Sequence, residues 1–308
     1  MTMKSRRQYI LAVRETTYGT DPTPDGGNAI LTSGLAPGFQ QGNRVTRDLD
    51  SPSLGADQEI ATGLYTTVSF NVEIAGAGDA GDVPGWGILL RACGFSETIT
   101  ADTSVTYEPV SDDIESVTIY YYQDGELHKI TGARGTVSFN LSKEAIPRMA
   151  FVFTGLYHDP TAPVSPITPN TSTFVDPLPV TEANTPTYTV AGHPVKAEGF
   201  TLDWAGQVVY RNVVNSESVQ ISGRTPTGTL TFEQERIGAK NFWAAAKSQD
   251  LHEVKIVHGT TAGNIVEINS DRVQLSQPAL DDSDGISVMN LNMRLIKGDD
   301  DELEIVVR

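Results

Sequence analysis

A single cysteine, Cys93, is the whole thiol inventory of this 308-residue chain. It excludes an intrachain disulfide and a thiolate metal cluster. Cys93 lies in an apolar stretch, where a small buried side chain is the expectation. Basic residues are scarce too: 22 Lys and Arg stand against 39 Asp and Glu, a formal net charge of −17. A protein that reads DNA sequence places Lys and Arg on phosphates, so this balance excludes that class. It suits solubility and a surface that does not hold nucleic acid. Long hydrophobic runs are missing as well. The opening MTMKSRRQYILAV sets basic residues before an apolar run too short for a signal peptide, and no stretch approaches a membrane span. The expectation is a protein made and folded in a cytosol, with no membrane partner.

Catalytic signatures are equally thin. None of the five histidines, His128, His158, His193, His252 and His258, sits in HExxH or in a Cys/His zinc spacing. His252 and His258 would share a strand face but lack a carboxylate partner at useful spacing. There is no GxSxG elbow. GAGDAG (76–81) matches GxGxxG, yet the strand before it alternates rather than running apolar. The following helix also begins too late to aim its amides at that loop. A flexible glycine loop is the better reading. DDSDG (281–285) would open a calcium loop only with Glu at the twelfth position, where Asn292 stands; an acidic turn between strands fits. Asp299–Glu302 reads as a solvated connection before LEIVV (303–307). The expectation is no enzyme, no cofactor and no metal.

What the chain does have is order repeated. Hydrophobic residues make up 39% and charged residues 20%, which is globular. The 28 Gly and 17 Pro, among many Thr, Val and Ser, favour strands and turns. TVSFNVEI (67–74), PGWGILLRACGF (84–95), SVTIYYYQ (116–123), LHKIT (127–131), TVSFNL (136–141) and RMAFVFTG (148–155) follow one another. TLTFEQE (229–235), GAKNFWAAAKSQDL (238–251), HEVKIVHG (252–259), NIVEI (264–268), RVQLS (272–276) and ISVMNLNMRLI (286–296) repeat the sequence strand, helix, hairpin, long return. Phe70 matches Phe232, Trp86 matches Phe242, and Ile130 matches Ile268. Similar units in tandem are how arrays and rings are built. In 67–74, Val68, Phe70, Val72 and Ile74 share one face and Thr67, Ser69, Asn71 and Glu73 the other, the mark of an antiparallel sheet with one wet face. The first helical stretch has Asp82 as its expected cap, Pro84 in its first turn and Gly94 as its stop.

Four segments result: 1–66, an N-terminal arm with one short strand (9–13) and a long polar contact loop; 67–157, a first domain; 158–187, a connection with seven prolines laid over the surface; and 188–308, a second domain. The polar stretch 43–66 is read as an arm for a neighbouring subunit, with Arg44, Arg47, Asp48, Asp50, Asp57 and Glu59 as inter-ring contacts. The polar alternates of long strands, Asn71, Glu73, Glu217, Gln220, Glu233 and Glu235, are the candidates to face a bore.

ETTYGTDPTP (15–24), TTVSFNVEIAG (66–76), PGWGILLRACGF (84–95), ESVTIYYYQDGELHKITGARGTVSF (115–139), FVFTGLY (151–157), SESVQISGRTPTGTLTFE (216–233) and VHGTTAGN (257–264) together resemble the tail tube proteins of long-tailed, siphovirus-like bacteriophages. The resemblance implies a mainly β chain: two tandem β-sandwich or β-barrel domains, each with one flanking helix, plus extended loops and arms. It implies a virion structural protein, the major tail tube subunit. Such subunits form stacked rings, through which double-stranded DNA passes without being bound. A typical ring has six single-domain subunits, so a two-domain chain would close it with three copies. Three chains carry 3 × 17 = 51 formal negative charges, and an acidic lumen releases no counterions from phosphates. The implied partners are the chain itself, a tape-measure protein in the lumen, and tail terminator and distal tail proteins. The implied place is the virion tail, after assembly in the cytoplasm of the infected bacterium. Two alternatives stand beside this reading. One is a carbohydrate- or receptor-binding sandwich using Tyr120, Tyr121, Tyr122 and Trp204 as stacking platforms; the other is a terminator or distal ring component.

Overall fold

A computed structural model of the chain describes residues 2–162 and 167–308. Alternating apolar residues decide its architecture. In the strand Glu59–Glu73, Val68, Phe70 and Val72 are buried and their neighbours are not. That strand lies between Ser33–Thr46 and Arg148–Tyr157, with Phe70 opposite Phe151. Arg148–Tyr157 in turn pairs with Glu126–Ser142. A second set of four follows in the same spatial order: Ala197–Asp203, Thr227–Glu233, Ile286–Leu295 and Val266–Ser283, with Phe232 opposite Met289. Glu126–Ser142 of the first set pairs with Ala197–Asp203 of the second. Eight antiparallel strands thus run side by side. The expected boundary near residue 66 falls inside the strand Glu59–Glu73.

Each set has a second layer. Val117–Gln123 pairs with the first part of Glu126–Ser142, and Gln8–Arg14 with Val117–Gln123. Likewise His252–His258 pairs with Val266–Ser283, and Thr187–Val190 with His252–His258. Glu126–Ser142 passes from one layer to the other through a bulge between Thr131 and Arg134, which bends a strand locally. Gly132 sits there at φ +59°, and a Cβ on it would meet the Tyr18 hydroxyl at 2.7 Å. Glu15 fixes the bend: its carboxylate accepts from the Gly132 and Gly19 amides and from the Ser116 and Thr118 hydroxyls, all at 2.6–2.7 Å.

The last strand, Glu304–Val307, returns to the first half and pairs with Ser104–Tyr107. In all, 17 strands form one sheet among the described residues, and no chain of pairings closes it into a barrel. One continuous cluster of buried side chains spans both halves, from Ile10 to Val307.

The helices are shorter than their patterns suggest. The first is Gly87–Arg91, with no side-chain cap; Asp82 plays no such part, and the Pro84 carbonyl accepts from the Gly87 amide instead. Gly94, at φ +90°, ends the turn as expected. Trp86 buries its ring against Tyr107 and donates to the Ala75 carbonyl at 3.0 Å. The second helix, Phe242–Lys247, is capped by Asn241, whose side chain accepts from the Ala244 amide. Phe242 packs on Phe232.

The proline-rich connection lies along the surface of the first half, with Pro163 and Pro166 outside the described residues. Tyr9 donates to the Ile167 carbonyl, and Glu144 and Ala145 exchange backbone bonds with Val180. His258 fastens its far end, with Nδ1 3.0 Å from the Thr185 hydroxyl and Nε2 3.1 Å from the Leu178 carbonyl. Burial holds this imidazole below its ordinary range, partly offset by the Leu178 carbonyl. The unfolded chain takes up a proton near pH ~6.5 that the folded chain resists, so the contribution of His258 is complete above that pH and declines below it. Thermal melts at neutral pH and about one and a half units lower are expected to differ less in His258→Gln than in the wild type.

Candidate functional site: a polar sheet face and two exposed hairpins

The eight-stranded sheet has one apolar face in the core and one open face. Lateral pairing brings the open-face residues into rows. One row reads Glu73, Arg148, Asn140, Thr201, Thr229, Asn292, Ser276 across seven strands. The next reads Asn71, Ala150, Ser138, Asp203, Thr227, Arg294, Gln274. Hydroxyls and amides dominate both, and they bond across strands: Thr231 to Asn290 at 2.8 Å, and Asn292 to Gln277 at 2.9 Å. The two rows hold two acids, Glu73 and Asp203, and two bases, Arg148 and Arg294. Glu73 and Arg148 stand 3.6 Å apart. At the rim, Glu233 pairs with Lys196 at 2.9 Å, and this partner raises the lysine's pKa. The excess negative charge of the chain therefore does not lie in these rows. Such a face offers short, neutral hydrogen-bonding groups and no basic stripe for phosphates to neutralise.

Two hairpins project from the sheet. The first is formed by the far ends of Ser33–Thr46 and Glu59–Glu73, joined by the loop 47–58. The second is the separate two-stranded ribbon Gly206–Val213 with Ser216–Arg224. Both end in exposed apolar side chains: Leu49 and Leu54 in the first loop, Val213 and Val214 at the second tip. Near their bases the two touch, Tyr65 against Tyr210 with ring centroids 4.9 Å apart. The first half also holds the second ribbon at Gly206, whose amide donates to the Thr136 hydroxyl at 2.9 Å, and at Val219. The Arg134 guanidinium donates to the Val219 carbonyl at 2.8 Å and lies over the Tyr18 ring, while the Tyr18 hydroxyl accepts from the Val219 amide.

Of the residues singled out from the sequence, Asn71, Glu73 and Glu233 lie on the open sheet face. Glu217 and Gln220 lie on the second ribbon, where Glu217 accepts from the Tyr210 hydroxyl. Glu235 lies past the end of its strand, 2.9 Å from His193. Arg44 and Glu59 belong to the first hairpin's ladder, opposite Ala61 and Thr46. Arg47, Asp48, Asp50 and Asp57 sit in its exposed loop, where Asp57 accepts from the Leu49 amide.

The sequence reads as strands at Gln207–Arg211 and around Glu217 and Gln220, but does not show that they pair with each other as a separate ribbon. The signal for that pairing is the alternation in 206–224 around Asn215, which takes φ +67° at the turn. Nor does the sequence single out the Thr and Asn alternates of 199–203 and 290–294. The tyrosines at 120–122 and Trp204 are buried, at 4% exposure or less, so they form no stacking platform. GAGDAG packs against the second half, the Gly78 amide donating to the Gly263 carbonyl at 2.9 Å and the Gly76 amide to Asn264 at 2.8 Å. A Cβ on Gly76 would meet that same carbonyl at 2.0 Å; these glycines permit close backbone packing.

No curated protein matches the chain. The family model for phage tail tube proteins matches residues 5–296, nearly its whole length and both sets of strands. The chain belongs to the phage tail tube protein family, a virion structural protein of the phage tail.

Proposed function

We propose that this chain is the major subunit of a siphovirus-like tail tube, built from two tandem units, 1–157 and 188–308, joined by the connection 158–187. Three copies close a ring that imitates sixfold symmetry, and rings stack into a tube. The open sheet face lines the channel and lets duplex DNA pass. The observation that carries this reading is the eight-strand order: two sets of four strands in the same sequence of pairings, with one open face that is mostly polar. A tube wall needs such a surface. Paired charges and neutral amides leave duplex DNA its own counterions, so nothing holds it. This differs from an electronegative lining: the central band is close to neutral, and the excess acidic charge of the chain lies outside it. The hairpin loop with Arg44, Arg47, Asp48, Asp50, Asp57 and Glu59, and the ribbon tip at Val213 and Val214, reach towards neighbouring rings. Tape-measure, terminator and distal tail proteins are the further partners, and the host cytoplasm is the place of assembly.

Negative-stain images of the purified protein at rising concentration test this. The expected outcome is rings with three outlines per turn and tubes built from them. Rings of six whole chains would overturn the stoichiometry, and monomers at all concentrations would overturn self-assembly.

A further inference from the structure

The first hairpin has a hinge at its base. Between Gly38 and Gln41 the strand Ser33–Thr46 sets Phe39 and Gln40 against the single residue Thr66, and between Gln41 and Asn43 the register shifts again, in the opposite sense. Two bulges this close break the ladder and bend the strand. Backbone torsion agrees: Gln40 takes φ +51° and Gly42 φ +143° on one strand, and Gly63 φ +57° on the other. Among the described residues Ser33–Thr46 pairs only with Glu59–Glu73, so side chains hold it where the ladder fails.

Two contacts do so. The Gln40 side-chain amide donates to the Tyr157 hydroxyl at 2.8 Å, and the Phe39 ring stacks on the His128 imidazole, with centroids 3.9 Å and planes 16° apart. His128 lies opposite Tyr121 of Val117–Gln123, in the second layer. The Tyr121 ring closes the cluster, 5.6 Å from Phe39 and 5.8 Å from His128, and its hydroxyl donates to Gln8 at 3.0 Å. Phe39 is the one ring of the three that comes from the hairpin strand.

The imidazole has one idle edge: its Nδ1 is buried with no hydrogen-bond partner among the described residues. A neutral ring can leave an acceptor there. An imidazolium places an N–H there, and a buried donor on a charged group with nothing to accept it is costly. In a stacked pair the N–H bonds lie in the ring plane, so the Phe39 face does not accept them. From the facing strands Phe39, Gln40 and Gln8 are neutral, and Tyr121 is a phenol whose pKa burial raises. Tyr157, with its acceptor Asp159, lies one contact further, beyond Gln40. Glu126, on the strand of His128 itself, is the charge that acts on the ring, and it offsets only part of the burial that holds this imidazole below its ordinary range. We infer that His128 and Phe39 form a proton-operated latch on the first hairpin, shut while the imidazole is neutral and opened when it takes up a proton.

With the latch open, the imidazole meets water and titrates near its ordinary value of ~6.5. With it shut, the ring resists the proton. Above that pH both states are neutral and the latch holds at full strength. Below it, each unit of pH favours the open state by up to ~10-fold, until the pH passes the lowered value of the shut state. Opening frees Phe39 where the ladder is already broken, so the hairpin above it, with the loop 47–58 at its tip, loses its fixed direction. The latch belongs to the single chain and holds whether or not rings form.

Amide exchange of the unassembled chain tests this, at neutral pH and about one unit below the ordinary histidine value, with the intrinsic effect of pH on exchange removed. In wild-type protein, exchange in 38–43 is expected to quicken about 3- to 10-fold at the lower pH, while 149–155 stays unchanged. His128→Phe keeps a ring against Phe39 and cannot titrate, so its exchange in 38–43 is expected to be the same at both pH values. The other four histidines are present in both proteins, and their effects cancel in the comparison. Equal quickening in the variant, or none in the wild type, would overturn the latch. If His128→Phe does not fold, His128→Gln serves instead, being neutral at both pH values. The His128 ring-proton signal, identified by its loss in the variant, gives the second measurement: it should titrate below ~6.5, and titration at or above that value would also overturn the latch.

Discussion

Replacing Trp204 with alanine is expected to cost about 3–5 kcal/mol of folding stability, the range for truncating a large buried aromatic. The ring is 1% exposed and bridges the two halves. It packs on Phe95 from the first half and under the Arg224 guanidinium, 5.3 Å from the ring centroid. Arg224 itself ties three segments together, donating to the Val110 carbonyl, Asp300 and Glu302. The cavity left by Trp204 opens where this clamp needs a flat wall, and the surrounding strands cannot collapse into it without breaking the pairing of Ala197–Asp203 to Glu126–Ser142. A fall in melting temperature of roughly 5–8 °C follows for a chain of this size, measurable by differential scanning fluorimetry. Trp204→Phe should retain most of the stability. A fall below about 2 °C for the alanine variant would mean that the junction is held by its backbone ladder alone.

The largest functional effect is expected from Lys substitutions in one row of the open face. Thr201, Thr229 and Asn292 are lateral neighbours on three adjacent strands. In the proposed three-chain ring, the Thr201→Lys, Thr229→Lys, Asn292→Lys triple variant would add nine positive charges to the channel wall. Each phosphate neutralised adds about −0.9 to the slope of log affinity against log salt. Tubes of this variant should retain short duplex DNA in low salt and release it steeply as salt rises. Wild-type tubes and the matching triple Glu variant should retain none. The readout is fluorescent DNA co-sedimenting with tubes over a salt series. Equal retention by wild-type and Lys tubes would remove this face from the channel wall.

Local periodicity made much of this molecule legible. The alternation Val68, Phe70, Val72 required a half-buried strand whatever its partners were, because side chains in a strand change faces at every residue. The matching of Phe70 with Phe232 anticipated equivalent sites, each facing an apolar residue of the neighbouring strand, Phe151 and Met289. The glycine loop 76–81 was legible as a loop, but its packing on Gly263 and Asn264 was not, because those residues lie far off in the chain. The candidate bore residues were only partly separable. Asn71 and Glu217 have the same pattern in sequence, yet one lies on the sheet and the other on a projecting ribbon.

By itself, the sequence determined that the chain is mainly β, that its halves run through the same order of elements, and that acidic residues outnumber basic ones, 39 to 22. These depend on neighbours along the chain and on composition. Tertiary structure alone decided that Ala197–Asp203 joins Glu126–Ser142, that Glu304–Val307 crosses back to Ser104–Tyr107, and that two edges of the eight-stranded sheet have no partner strand among the described residues. Backbone N–H and C=O groups are the same in every residue, so which strand meets which is set by the packing of whole layers and leaves no mark in any one segment.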